Sequence, residues 1–316
     1  MWADSMNLVS ISDVALLKRF RKCGRWLGHL VLTKITERCE LELSVREDLR
    51  IRVVDATHLC SPGAKGSQWR LHVGLDLASL MIDHVEFSDW RVGESFDRFP
   101  VTADELLIGD RGYAHRDPMA RVAEAGGFFL VRIPWNIVPL NTPDGEALEL
   151  FSFLRSIPEA AVGELSVSFT AHKHTEIPCR LIALRKTAVC AEASRQKVLS
   201  EKSRKSRSID PRSLEAAEYT ILLTNASAES MSPHKALELY RLRWQIENVF
   251  KRFKSLLNLD QLAAREPSMV QTYVLAKILG AMLVEDLTDR YLSFFPWGYP
   301  LRTAGNLPLA SPQARS

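Results

Sequence analysis

The chain reads as an α/β protein, a mixed sheet flanked by helices with a β-rich insertion. Three observations predict this. Four short strand-like runs follow one another between Arg50 and Asp110. Strand and helix then alternate, an order that lays helices over a sheet. From about Trp135 to Arg212 the pattern changes to short alternating pieces and a basic, serine-rich run. At 316 residues, 46% hydrophobic and 25% charged, the chain can bury a large core and has an ordinary soluble composition.

Residues 1–48 form an N-terminal helical segment. Ser12-Asp13 supplies capping groups, and Val14, Leu17, Phe20 and Leu27 follow at helical spacing. Lys18, Arg19, Arg21, Lys22 and Arg25 make the other side basic, either as a solvated face or as one that touches phosphate. Residues 49–134 are the first part of the core. "RIRVVDATHL" and "DELLIGD" read as strands ending in acids, Asp55 and Asp110. Between them, "WRLHVGLDL" puts Trp69, Leu71, Val73, Leu75 and Leu77 on one side, and "DHVEFSD" is a further strand. "SPGAKGS" lacks the spacing of a phosphate loop and reads as a turn. "DPMARVAEAGG" is a helix with Asp117 as N-cap and Gly126 near its stop, and "GFFLVRI" is an apolar strand.

The insertion, 135–212, holds the strands "LSVSFTAH" and "CRLIALRKT" and a mobile charged loop from Arg195 to Arg207. The second part of the core, 213–292, resumes with the strand "AAEYTILLTN". A helix, "YRLRWQIENVFKRFK", follows, and then a second, "PSMVQTYVLAKILGAMLVEDLTDRYL". Residues 293–316, proline-bearing and without periodicity, form a loose tail.

Composition excludes several classes. A net charge of +3 is too small to argue for nucleic acid by itself. Five widely spaced cysteines without a C-x-x-C pair speak against a disulfide framework and a structural zinc site. The N-terminus lacks the design of a secretory signal. The most apolar late stretch is short and interrupted by Lys277, so no membrane span is expected. These features place the protein in the cytoplasm.

The chemistry lies in Asp55, Asp110 and the helix of Tyr240–Lys254. In open sheets with parallel neighbours, ligands collect at the carboxyl ends of strands. Two aspartates there, joined by Glu247, offer oxygen ligands to Mg²⁺. Three such carboxylates can hold two ions roughly 4 Å apart, the arrangement that suits in-line attack on a phosphodiester. Each acid alone has a plainer reading. A strand-end aspartate is commonly a turn residue, and Glu247 with Lys251 makes a surface ion pair of about 0.3–0.5 kcal/mol. The neighbours change the weighting. Tyr240, Arg243, Glu247 and Lys254 share one strip of the helix, beside a buried stripe of Leu242, Ile246, Val249, Phe250 and Phe253. Arg243 can grip phosphate oxygens in bidentate fashion, Lys254 adds a point charge, and Tyr240 can donate one hydrogen bond. Trp135 and Trp244 either stack on an unpaired base or simply pack.

These residues resemble the bacterial insertion-sequence DDE transposases of the insertion-sequence-four family, marked by a Y-R-E-K signature. The segment Asp110-Arg111-Gly112-Tyr113 is similar to the stretch around that family's second catalytic aspartate, and "VVDATHL" to its first-aspartate strand. The resemblance implies a ribonuclease-H-like core with Asp55, Asp110 and Glu247 as catalytic and metal-binding triad. It implies two Mg²⁺ ions, with Mn²⁺ as a substitute, cleavage at transposon ends, and strand transfer of the 3′ hydroxyl into target DNA. Double-stranded DNA is the expected partner, with a homodimer assembled on it. Family members carry a longer DNA-binding region before the core, so residues 1–48 correspond to a shortened one. Two alternatives stay open: a related nuclease without strand transfer, and a remnant that binds DNA without turnover.

Overall fold

Successive residues of a strand face opposite sides of a sheet, and the central strands here are apolar on both. The structure, a computed structural model, describes residues 11–43, 49–79, 81–172, 175–204, 208–259, 261–262 and 264–292. In chain order it contains α1 (Asp13–Lys22), α2 (Gly24–Leu43), β1 (Arg50–Leu59), β2 (Trp69–Asp76), β3 (Ile82–Asp89), β4 (Glu105–Gly109), α3 (Arg116–Glu124) and β5 (Phe128–Arg132). There follow α4 (Leu150–Ser156), β6 (Val162–Thr170), β7 (Glu176–Arg185), α5 (Ala188–Arg204), α6 (Pro211–Ala217) and β8 (Tyr219–Thr224). The last three elements are α7 (Pro233–Leu242), α8 (Trp244–Leu257) and α9 (Pro267–Leu292).

One sheet takes up all eight strands, in the order β3-β2-β1-β4-β5-β8-β7-β6. β1, β4 and β5 are parallel, and the other neighbours pair antiparallel. Val53, Leu106, Ile108, Leu130 and Leu222 join a core shared with Leu27 of α2, Ile246, Val249, Phe250 and Phe253 of α8, and Val270, Val274 and Ile278 of α9. Val54, Leu107, Phe129, Val131 and Leu223 join the opposite core, with Met119 and Val122 of α3 and Leu154 of α4. Helices therefore cover both faces, the expected mixed α/β architecture. The strands β6 and β7, from the segment read as an insertion, lengthen this same sheet through β8.

The foot of the sheet holds an ionic cluster. Arg52 Nε lies 2.6 Å from Asp83 Oδ2, and Arg52 Nη2 lies 3.1 Å from Glu105 Oε1. Arg50 joins at 2.9 Å from Asp83. These groups tie β1, β3 and β4 together.

Several local expectations are corrected. The run from Arg195 is not a loop: α5 extends through it to Arg204, because Ala, Glu, Gln, Lys and Leu are strong helix formers. Arg195 and Gln196 both bond Glu192, three and four residues back. Residues 205–207 lie outside the described residues. The first helix breaks at Cys23, and Val14 and Leu17 are exposed. The N-cap of α3 is His115, while the Asp117 carboxylate accepts the His172 N–H at 2.7 Å. The last helix spans the predicted Pro267–Leu292 and is the one described helix long and apolar enough to cross a bilayer, yet Val270, Val274, Ile278 and Met282 are buried in the core. The tail, 293–316, lies outside the described residues.

Candidate active site

Parallel pairing sets the first two acids side by side. The β1–β4 register runs from Arg50↔Glu105 to Val53↔Ile108 and stops there. Asp55 and Asp110 stand two residues beyond that last pair on either strand, where the strands part. Asp55 is thus not at the end of its strand. β1 continues to Leu59 because β2 stays paired with it as far as Trp69. The reading of Asp55 as a strand-end residue holds only for the parallel half of its pairing.

Asp110 caps a single 3₁₀ turn, Arg111–Tyr113, its Oδ1 accepting the Gly112 N–H at 2.7 Å. Asp55 Oδ1 accepts the Ala56 N–H at 2.8 Å, and Oδ2 lies 3.5 Å from Arg243. Glu94, which sequence reading passed over, sits in the loop after β3. A Cβ at Gly112 would meet Glu94 Oε2 at 1.8 Å, so glycine there makes room for this carboxylate. Its loop has no hydrophobic period and no motif, so nothing in the sequence separates Glu94 from an ordinary surface acid.

Burial and neighbouring charge raise two of these acids. Burial pushes Asp55 up to about 7, the charges of Asp110 and Glu94 add to this, and the Ala56 N–H and Arg243 oppose it. Burial and then Asp110 likewise raise Glu94. A carboxyl whose folded pKa lies above its ordinary value of 3.8 favours the fold when protonated. That contribution is complete below about pH 4 and is lost as pH rises through the folded value of about 7. In EDTA, Asp55→Asn is therefore expected to melt above wild type at pH 8, by an amount that shrinks toward pH 4. Scanning calorimetry across that range checks it, and parallel melting curves would remove the burial argument.

The signature segment is two helices rather than one. The Arg243 N–H bonds Tyr240 O at 3.1 Å and the Ile246 N–H bonds Arg243 O at 3.2 Å, three-residue steps that interrupt the α-helical ladder between α7 and α8. The break leaves Leu242 exposed instead of in the buried stripe, while Ile246, Val249, Phe250 and Phe253 are buried. Arg243 is the hub. It donates to Glu247 Oε1 at 2.6 Å, lies 3.5 Å from Asp55, and holds its guanidinium 5.9 Å from the centre of the Tyr240 ring. Burial raises the Tyr240 phenol. Lys254 is half-buried, and its charge, after burial and Arg70, helps to lower the His58 imidazole on β1.

Asp55, Asp110, Tyr240 and Arg243 therefore meet, and Glu247 reaches Asp55 through Arg243. Among the described residues, no three His, Cys, Asp or Glu side chains are close enough to hold one metal ion together. The donor chemistry still fits a hard divalent cation: carboxylate oxygens, partly desolvated and mutually repelling, whose repulsion such an ion offsets. The tryptophans differ in setting. Trp244 is half-exposed. Trp135 donates to Ser213 Oγ at 3.3 Å and lies under Arg212, 4.4 Å from its ring centre.

The two aspartates thus lie where parallel strands separate, with Arg243 and Glu247 across from Asp55. Residues 46–283 match the transposase DDE domain, and the chain belongs to that family of DNA-cutting, strand-transferring enzymes. Such a domain works with a divalent metal, generally Mg²⁺, and acts on DNA. The chain is 36% identical over 310 residues to the putative transposase InsL for insertion sequence element IS186A of Escherichia coli K12, covering 96% of this chain and 82% of the relative. The transposase for IS421 of Escherichia coli matches to the same extent. Identity to the transposase for IS231F of Bacillus thuringiensis subsp. israelensis is 23% over 312 residues, covering 86% of this chain and 65% of that one.

Proposed function

We propose that this chain belongs to the insertion-sequence-four group with the Y-R-E-K signature, and that it cleaves insertion-sequence ends and joins the freed 3′ hydroxyl to target DNA. Asp55, Asp110 and Glu247 are its catalytic acids and metal ligands, and Tyr240, Arg243 and Lys254 hold phosphates. Trp244, half-exposed beside Arg243, is the better placed of the two tryptophans to stack on an unpaired base. The observation that carries this reading is the β1–β4 register, which sets Asp55 beside Asp110 next to Arg243 of the signature.

Two Mg²⁺ ions, when bound, generate the attacking oxygen and stabilise the leaving one. The chain's own residues do the positioning. In the free protein Arg243 holds Glu247 and faces Asp55. A DNA phosphate offers that guanidinium a stronger bidentate partner and frees Glu247 to turn toward the aspartates. Segments 49–134 and 213–292 supply all six of these side chains and form the catalytic core, with 135–212 inserted between them. Two copies act together on paired ends.

Incubation of end-bearing DNA with Mg²⁺ and a plasmid target tests the proposal, with joined product expected. Cleaved ends alone would leave a nuclease, and binding without cleavage would leave a silent remnant. Lys254→Ala is expected to weaken DNA binding and lower the salt slope of log K by about one phosphate contact. Fluorescence anisotropy at graded salt reads this, and an unchanged slope removes Lys254 from the phosphate path.

A further inference from the structure

We propose that Glu94 is a further carboxylate of the catalytic centre, supplying oxygen to the divalent cation held by Asp55 and Asp110. The inference rests on reading those two aspartates as cation ligands.

Geometry places it there. The point where a Gly112 Cβ would lie is 1.8 Å from Glu94 Oε2 and 3.0 Å from Asp110 Oδ1. The two oxygens are thus no further apart than those distances combined. A cation with oxygen bonds of roughly 2.0–2.6 Å can bridge such a gap. Folding has brought this acid in without giving it a partner: among the described residues Glu94 makes no hydrogen bond or ion pair. Arg70, whose charge bears on it, is committed to Val92 O at 2.9 Å and His58 Nε2 at 3.1 Å.

A second observation points to a ligand. The Tyr113 hydroxyl is fully buried and has no hydrogen-bond partner among the described residues. The acids whose charges bear on it are Asp55, Glu94 and Asp110. A buried hydroxyl left without a partner near these acids is costly as it stands. A hydrated cation among those carboxylates gives the hydroxyl a water to bond and gives the acids a counter-charge. In the free protein no three of these oxygens close around one ion. Glu94 follows Gly93, which has open space around it, so the loop has room to draw in.

Mn²⁺ titration of the DNA-free protein, followed by the electron paramagnetic resonance of free Mn²⁺, tests the assignment. Glu94→Gln is expected to weaken Mn²⁺ binding by at least ~10-fold, as much as changes around metal ligands ordinarily do, and Asp110→Asn to weaken it as well. Wild-type affinity in Glu94→Gln with weakened Asp110→Asn overturns the role of Glu94 and leaves the aspartates as ligands. Unchanged affinity in both overturns both readings. Thermal melting in EDTA guards against misfolding, since removing a like charge should leave Glu94→Gln at least as stable as wild type. If that variant does not fold, Glu94→Asp decides: intermediate Mn²⁺ affinity supports the assignment and wild-type affinity overturns it.

Discussion

Asp110→Asn is expected to lower Mg²⁺-dependent cleavage of insertion-sequence ends by about 10³-fold or more, the scale of losing a group that stabilises transition-state charge. DNA affinity should be largely retained. The amide oxygen of asparagine can still accept the Gly112 N–H, so the 3₁₀ turn that displays residue 110 keeps its cap. What disappears is the negative charge. Glu247→Gln should fail in cleavage for the same reason and keep its fold. Its carboxylate is 46% exposed, and a glutamine oxygen can still accept the bond from the largely buried Arg243. Gel assays for cleavage beside anisotropy for binding separate the two effects. Near-wild-type cleavage by Asp110→Asn would mean that the reacting phosphate lies elsewhere.

How much of this centre the sequence disclosed depended on the kind of signal each residue carries. Asp55 and Asp110 were legible because each follows a short apolar run, the mark of a buried strand. The register that makes them neighbours was not legible, since which strands pair is decided by tertiary packing. The same holds for β6 and β7, whose alternation showed two strands but not that they extend the main sheet at β8. The signature helix was legible by its spacing, yet its interruption at Arg243 was not. No Gly or Pro marks it, and Arg243 keeps helical backbone angles while the hydrogen-bond ladder shifts around it. Helix α5 was misread because its serine and charge content outweighed the helix propensity of its Ala, Glu and Leu residues. Glu94 left no trace, because a loop acid gains meaning only from what folding sets beside it.

The foot of the sheet carries the largest expected effect on stability. Arg52→Met should destabilise the fold by about 3–5 kcal/mol, the cost of leaving buried carboxylates without their cation. Asp83 and Glu105 are almost wholly buried, and Arg52 bonds the first at 2.6 Å while lying 3.1 Å from the second. Its Nη1 also donates to Pro100 O at 2.8 Å, so the substitution leaves a carbonyl short of a partner as well. Arg50 touches both acids but from 2.9 and 3.8 Å, and it is more exposed, so it replaces Arg52 only in part. Urea unfolding measures the loss, and Arg52→Met combined with Asp83→Asn should recover some of it by removing one stranded charge. The effect bears on function through geometry. Arg52 pairs with Leu107 in the same register that carries Asp55 to Asp110, so cleavage by Arg52→Met should fall with the folded fraction and return wherever the variant is kept folded. Mn²⁺ affinity measured on the folded variant should match wild type. A loss of metal binding without a loss of stability would mean that the ionic cluster tunes Asp55 and Asp110 directly instead of fixing the strands that bear them.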